Sequence, residues 1–294
     1  MSYAQIHPAW DREPETITEG YSIEITAKDS NAFRKIATQL APETPVAVTF
    51  LPGESLEARL AAAKTVRELG FEPMPHFSAR RIKSKSEFKT MVERMVQEAG
   101  VKRCFTIAGD IPEAEGPFAD TSSLIETGLL ESNGIVAVGI AGHPQGHPHM
   151  TKDECYSVLS SKCRMIHDRG MKPLIVTQFG FDPDEFLQWL KVIREQGIDA
   201  PVRIGVPGPA SVKTLVRFAA RCGVEASTSV MGKYGISLSK LIGSTGPDKM
   251  VDAFARGFDK QHGRVRLHFY PFGGLGNTLK WIEGYTKVHK GNPA

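Results

Sequence analysis

Pro173-Leu174-Ile175-Val176-Thr177-Gln178, then Asp182, then the run Phe186–Glu195 closed by Gly197, then Val202-Arg203-Ile204-Gly205-Val206: this stretch decides the fold. The first and last pieces are short, apolar and β-branched, which reads as strand. Asp182 is placed to accept backbone N–H groups at a helix start, and Gly197 to end that helix in a left-handed turn. A strand, a helix and a second strand at this spacing require parallel pairing through a right-handed crossover.

The same alternation extends to both ends of the chain. Strand candidates are Tyr21–Ala27, Val46–Phe50, Glu72–His76, Arg103–Ala108, Gly134–Ala141, Pro173–Gln178, Val202–Val206 and Val265–Tyr270. Helical patterns lie between them at Leu56–Leu69, Ser86–Ala99, Phe186–Glu195, Ser211–Ala220 and Met250–Gln261, with an extra helix at Thr228–Leu241 in the last crossover. No G-x-G-x-x-G follows the first strand, which favours a closed (β/α)8 barrel of the TIM type over an open sheet. The 294 residues suffice for one such barrel, which needs about 250. Residues 1–20 read as an irregular arm and 21–294 as the catalytic barrel.

Composition narrows the classes of function. Lys and Arg total 36 against 33 Asp and Glu, too slight an excess to point to nucleic acid or a membrane surface. Cys104, Cys155, Cys163 and Cys222 form no C-x-x-C pair, so no zinc ribbon or dithiol motif is present. The first 20 residues hold no apolar signal core, and no apolar run is long enough to span a bilayer, so the expected compartment is the cytoplasm.

In such barrels the chemistry sits at the carboxyl ends of the strands. Reading there collects Glu24, Thr49, His76, Asp110, His143, His147, Gln178 and Tyr270. Glu24 lies between Ile23 and Ile25. Burial there would raise its pKa and suit a general acid, unless a basic neighbour satisfies it. Asp110 follows Gly109 directly, as a ligand contact or as a helix cap. Gln178 both donates and accepts, which suits the edge of a heterocycle. His143-Pro144-Gln145-Gly146-His147-Pro148-His149 is rich in histidine, yet no cysteine or helix-spaced carboxylate completes a zinc set, so no metal is expected. Phe272-Gly273-Gly274 follows the last strand, as a phosphate loop or a plain turn.

Taken in order, several pieces resemble the methylenetetrahydrofolate reductase family. They are Ser22-Ile23-Glu24-Ile25, Val48-Thr49-Phe50, Pro75-His76, Gly109-Asp110, His143-Pro144-Gln145-Gly146-His147-Pro148, Thr177-Gln178-Phe179, Val206-Pro207-Gly208 on to Phe218, and His268-Phe269-Tyr270. The resemblance implies a barrel enzyme that reduces 5,10-methylenetetrahydrofolate with NADH or NADPH through bound FAD, possessing small-molecule partners and compatible with a homo-oligomer. It implies Glu24, Asp110 and Gln178 as catalytic. Thr49, His76, Gly109, Asp110, His143, His147, Lys162 and Arg164 would line the flavin, and Val212 and Tyr270 would join the acid, the aspartate and the glutamine around folate. Ala108 and His143 stand where the family has Arg and Tyr, and Val212 where it has a folate-stacking aromatic. Those departures keep two further readings open: direct hydride transfer without flavin, and a non-redox folate-dependent one-carbon or methyl transferase.

Overall fold

A computed structural model describes residue 10 and residues 12–226, 228–234 and 244–290. Among the described residues, eight strands form the barrel: β1 Ser22–Ile25, β2 Pro45–Val48, β3 Glu72–Ser78, β4 Arg103–Ile107, β5 Ala137–Gly142, β6 Lys172–Phe179, β7 Val202–Pro207 and β8 Val265–Tyr270. They are parallel and close into a barrel in the order β1-β8-β7-β6-β5-β4-β3-β2. This is the (β/α)8 barrel that the alternation predicts. Strands covered on both faces can be apolar throughout, which is why Val46, Ala47 and Val48 are all inaccessible to solvent.

The surrounding helices are α1 Ser30–Ile36, α2 Leu56–Glu68, α3 Lys85–Ala99, α4 Thr121–Glu126, α5 Leu129–Ser132, α6 Lys152–Asp168, α7 Pro183–Glu195, α8 Val212–Cys222, α9 Thr228–Tyr234, α10 Asp248–Gly257 and α11 Leu275–His289. The extra helix is α9 over Thr228–Tyr234, and the rest of its expected span, 235–241, lies outside the described residues. Part of the expected arm, 1–9 and 11, lies outside them as well. Its described part makes bends and turns and buries Trp10, over which the Arg203 and Arg266 guanidinium groups stack at 4.9 and 5.6 Å. A two-residue antiparallel ribbon, Ala210–Ser211 with Ser244–Thr245, was not foreseen from sequence.

Capping chemistry sets the boundaries. β1 stops at Ile25, short of the expected Ala27, because the Thr26 N–H and hydroxyl both donate to Asp29 at 2.7 Å and start a 3-10 turn. Asp182 caps α7 as expected, accepting the Asp184 N–H.

Two compact units make up the chain. One comprises Met1–His7, Glu24–Ala141 and Ser157–Ile175, the other Pro8–Ile23, Gly142–Tyr156 and Val176–Ala294. The first packs Phe33 on Phe71 and Phe77 on Phe88. The second packs Phe186 on Phe254 and Phe269 on Trp281 of α11. That last contact fixes which way β8 faces. Phe269 points to the helices, so His268 and Tyr270 point into the lumen, strand side chains alternating between faces. In register with β8, Ile23 pairs with Phe269 and Ser22 with His268, and the Ser22 hydroxyl meets His268 Nδ1 at 2.8 Å. Glu24, two residues beyond Ser22, therefore shares its inward face.

Candidate active site

Glu24 lies on β1 and belongs to the first unit. Its neighbours Ile23 and Ile25 are buried, while its own side chain keeps 16% of its surface. Enclosure removes water from the carboxylate and pushes its pKa from 4.5 up to about 8. His76, within β3 and two residues before its end, places Nε2 3.9 Å from Glu24 Oε1. Burial, and then the nearby charge of Arg59, lowers the imidazole from 6.5 to about 3. Near pH 7 the carboxyl is thus protonated and the imidazole neutral, so this pair is not a salt bridge. The imidazole also lies on Phe105, ring centroids 4.8 Å apart. Arg59 is itself buried, donates to the His76 carbonyl at 3.2 Å and stacks over Phe50 at 4.8 Å.

Thr49 directly follows β2, with its N–H and hydroxyl both donating to the Ile25 carbonyl, at 2.9 and 3.2 Å. Its hydroxyl is engaged by β1. Gly109 has φ +112, and a Cβ there would lie 2.7 Å from Ser78 Oγ, so its glycine is required by packing on β3. That Ser78 hydroxyl is buried without a hydrogen-bond partner. Asp110 is half exposed and is held by Arg81, whose Nε and Nη2 each donate to one carboxylate oxygen at 3.0 Å. It caps no helix, since the N-cap of α4 is Asp120.

Lys162 and Arg164, which the resemblance places at the flavin, both lie on α6. Two residues apart on a helix, their side chains diverge. Lys162 is half-buried, with burial lowering its pKa, whereas Arg164 is exposed.

In the second unit, Gln178 Oε1 accepts its neighbour's N–H, from Phe179 at 3.1 Å. Thr177 accepts the Gly205 N–H on its hydroxyl at 2.8 Å and the Tyr270 hydroxyl on its carbonyl at 3.0 Å. These bonds fix the end of β6 against β7 and β8. A Cβ on Gly205 would lie 2.8 Å from the Gln178 carbonyl, so the close approach requires glycine. His143 and His147 meet edge to face at 5.0 Å, and His147 Nδ1 accepts the His149 N–H. Among the described residues, no group of three His, Cys, Asp or Glu side chains could hold a metal ion.

Val212, half-buried, opens α8 and brings no aromatic ring. Three aromatic rings stack on one another between α8 and the segment at the end of β8. Phe218 of α8 stacks on Phe272 at 4.1 Å and 13°, and Phe272 stacks on Tyr270 at 5.7 Å and 26°. All three are half-buried. Neither the ring stack nor the Arg81 partner of Asp110 is expected from sequence, although Phe272 lies two residues beyond β8 and Arg80-Arg81 follow Ala79, the first residue after β3.

The structure therefore brings Glu24 to His76, His143 to His147, and Asp110 to Arg81. A closed parallel barrel with a neutral, reachable acid at the end of a strand and further polar groups at other strand ends defines a protein class whose chemistry resides at that rim. Residues 25–272 match the family model described as Methylenetetrahydrofolate reductase, and the chain belongs to that family. It is 27% identical over 163 residues to 5,10-methylenetetrahydrofolate reductase of Pectobacterium carotovorum subsp. carotovorum, covering 55% of this chain and 52% of that one. It is 26% identical over 172 residues to Methylenetetrahydrofolate reductase 2 of Saccharomyces cerevisiae, covering 55% of this chain and 27% of that one. The matches thus span about a quarter to a half of these relatives' length. A solved structure from Clostridium thermocellum, described as an uncharacterized protein that binds two copies of 5-methyl-5,6,7,8-tetrahydrofolic acid, shares the fold. Its TM-score is 0.63 at 12% identity, over 93% of this chain and 96% of that one. No helix among the described residues is long and apolar enough to cross a membrane.

Proposed function

We propose that the protein reduces 5,10-methylenetetrahydrofolate to 5-methyltetrahydrofolate with hydride from NADH or NADPH. The observation that carries this reading is the neutral carboxyl of Glu24, held near pKa 8 at a reachable position in the lumen. Opening the five-membered ring of the substrate breaks a carbon–nitrogen bond, and the leaving nitrogen needs a proton. Glu24 donates that proton, the methylene carbon becomes an iminium, and hydride adds to it to form the methyl group. Nicotinamide is oxidised and the folate reduced, and one proton is taken up from Glu24, which solvent then reprotonates. His76 remains neutral throughout and competes for no proton. Asp110 and Gln178 are assigned to the pterin. Family membership supports the folate, and the folate bound by the Clostridium thermocellum protein supports a barrel of this shape as a folate site.

FAD is the cofactor the resemblance implies. A pyrophosphate is held by cations or N–H groups fixed on one side of it. Lys162 and Arg164 diverge on α6 and form no such clamp, and the Thr49 hydroxyl is engaged by Ile25. Thr49, Lys162 and Arg164 therefore supply no phosphate clamp for a tightly held FAD. This placement favours, as a second reading, direct hydride transfer from nicotinamide to folate. Glu24→Gln tests the main proposal, because it preserves shape and removes the proton. It should lower folate-dependent nicotinamide oxidation by at least about a hundredfold. A variant that retains near wild-type turnover would rule out the role given to Glu24.

A further inference from the structure

The segment that leaves β3, Ala79-Arg80-Arg81-Ile82-Lys83, is laced to the loop that leaves β4. Arg80 donates its N–H to the Ala108 carbonyl at 2.9 Å and accepts the Glu115 N–H on its own carbonyl at 2.7 Å. Its guanidinium donates to the Ala119 and Ile111 carbonyls at 2.9 and 3.0 Å. Arg81 engages both oxygens of Asp110 at 3.0 Å and Glu115 Oε1 at 3.2 Å. Beneath them Gly116 packs so closely that a Cβ would lie 2.3 Å from the Ile82 carbonyl oxygen. Two consecutive arginines thus hold residues 108–119, one through the backbone and one through the carboxylates.

The two arginines do different work. Arg80 satisfies three carbonyls and one N–H group of an irregular loop, which fixes the path of its backbone. Arg81 meets a carboxylate with a planar fork, a geometry that fixes rotation as well as position. An exposed ion pair of this kind adds little to global stability. The exposures are unequal: the Asp110 side chain is 52% accessible and Arg81 only 23%. The Asp110 carboxylate therefore keeps about half of its surface accessible while Arg81 holds it.

We propose that Arg81 is a positioning residue that holds the Asp110 carboxylate in one orientation for the N–H donor edge of the reduced pterin. The assignment rests on the folate reading above. Arg81 acts through Asp110 and touches no substrate, and Arg80 keeps the loop that carries Asp110 in place.

Three measurements on the full chain test this, with Arg81→Met and Arg81→Lys. The first is KM for methylenetetrahydrofolate, the second is KM for the nicotinamide nucleotide, and the third is amide hydrogen exchange over residues 108–119. Arg81→Met should raise the folate KM about tenfold, the equivalent of one charge-assisted contact, and leave the nucleotide KM within about twofold. Arg81→Lys should restore only part, since an ammonium cannot make the two-pronged contact. Exchange should quicken in 108–119 and remain unchanged elsewhere. An unaltered folate KM, an equal rise for both substrates, or full rescue by lysine would overturn the proposal. If the wild-type chain shows no folate-dependent nicotinamide oxidation, the folate reading fails by itself. Exchange then decides the anchoring role, and an unchanged loop in Arg81→Met overturns that too.

Discussion

Glu24 and His76 stand 3.9 Å apart, and their environment decides which of them holds a proton. With pKa values near 8 and 3, one proton resides on the carboxyl between about pH 4 and 7 and none on the imidazole. A general acid in this state is active below its pKa, so folate reduction should fall as pH rises through about 8. Histidine should add no limb between pH 5 and 7. The same shift has a consequence for stability. In the unfolded chain Glu24 releases its proton near 4.5, in the folded chain only near 8. Its contribution is therefore complete below about 4.5 and is lost progressively as pH rises through 8. Glu24→Gln removes this penalty. It should stabilise the protein at pH 8 by a few kcal/mol and have little effect at pH 4, as read by denaturant midpoints. A variant destabilised at pH 8 would show that the carboxyl is not held neutral. Glu24 was legible from sequence because a lone carboxylate among isoleucines must be either neutral or paired. The Arg81–Asp110 pair was not, because its partners lie 29 residues apart and meet only through two loops.

At the scale of elements, the strands were legible because burial on both faces leaves an uninterrupted apolar run. Their ends were less so, since they depend on individual bonds such as those of Thr26 to Asp29. Helices α1, α4, α5, α6 and α11 are not among the helical patterns of the sequence; α4 and α5 are too short for a periodic stripe to show. Close backbone approach can be tested at Gly116. An alanine there meets the Ile82 carbonyl and the Lys83 backbone, neither of which can move as a side chain can. Gly116→Ala should cost about 1–3 kcal/mol and raise the folate KM in parallel with Arg81→Met, both through the Asp110 loop. An unchanged midpoint in urea would show that the loop is not packed on Ile82. The aromatic stack of Phe218, Phe272 and Tyr270 was hidden for a related reason: α8 and the segment after β8 become neighbours only once the barrel forms.

For the whole molecule, the barrel followed from alternation alone, because eight strand–helix units without a dinucleotide fingerprint leave few other ways to bury both sheet faces. Family membership then agrees with the order of short matches along the strands. The cofactor was less legible, since a phosphate clamp depends on which helix faces carry the cations. Lys162 and Arg164 diverge, so titration with FAD should show no tight binding, and chain purified without added flavin should lack the flavin absorption band. Stoichiometric FAD in the purified protein would contradict this reading of α6. The most direct test of the whole account is the pH dependence of methylenetetrahydrofolate-dependent NADH or NADPH oxidation by the wild-type chain. The account predicts measurable oxidation whose kcat/KM is level near neutrality and falls tenfold per pH unit well above about 8, as Glu24 loses its proton. No folate-dependent oxidation, or a rate that rises through pH 8, would contradict it.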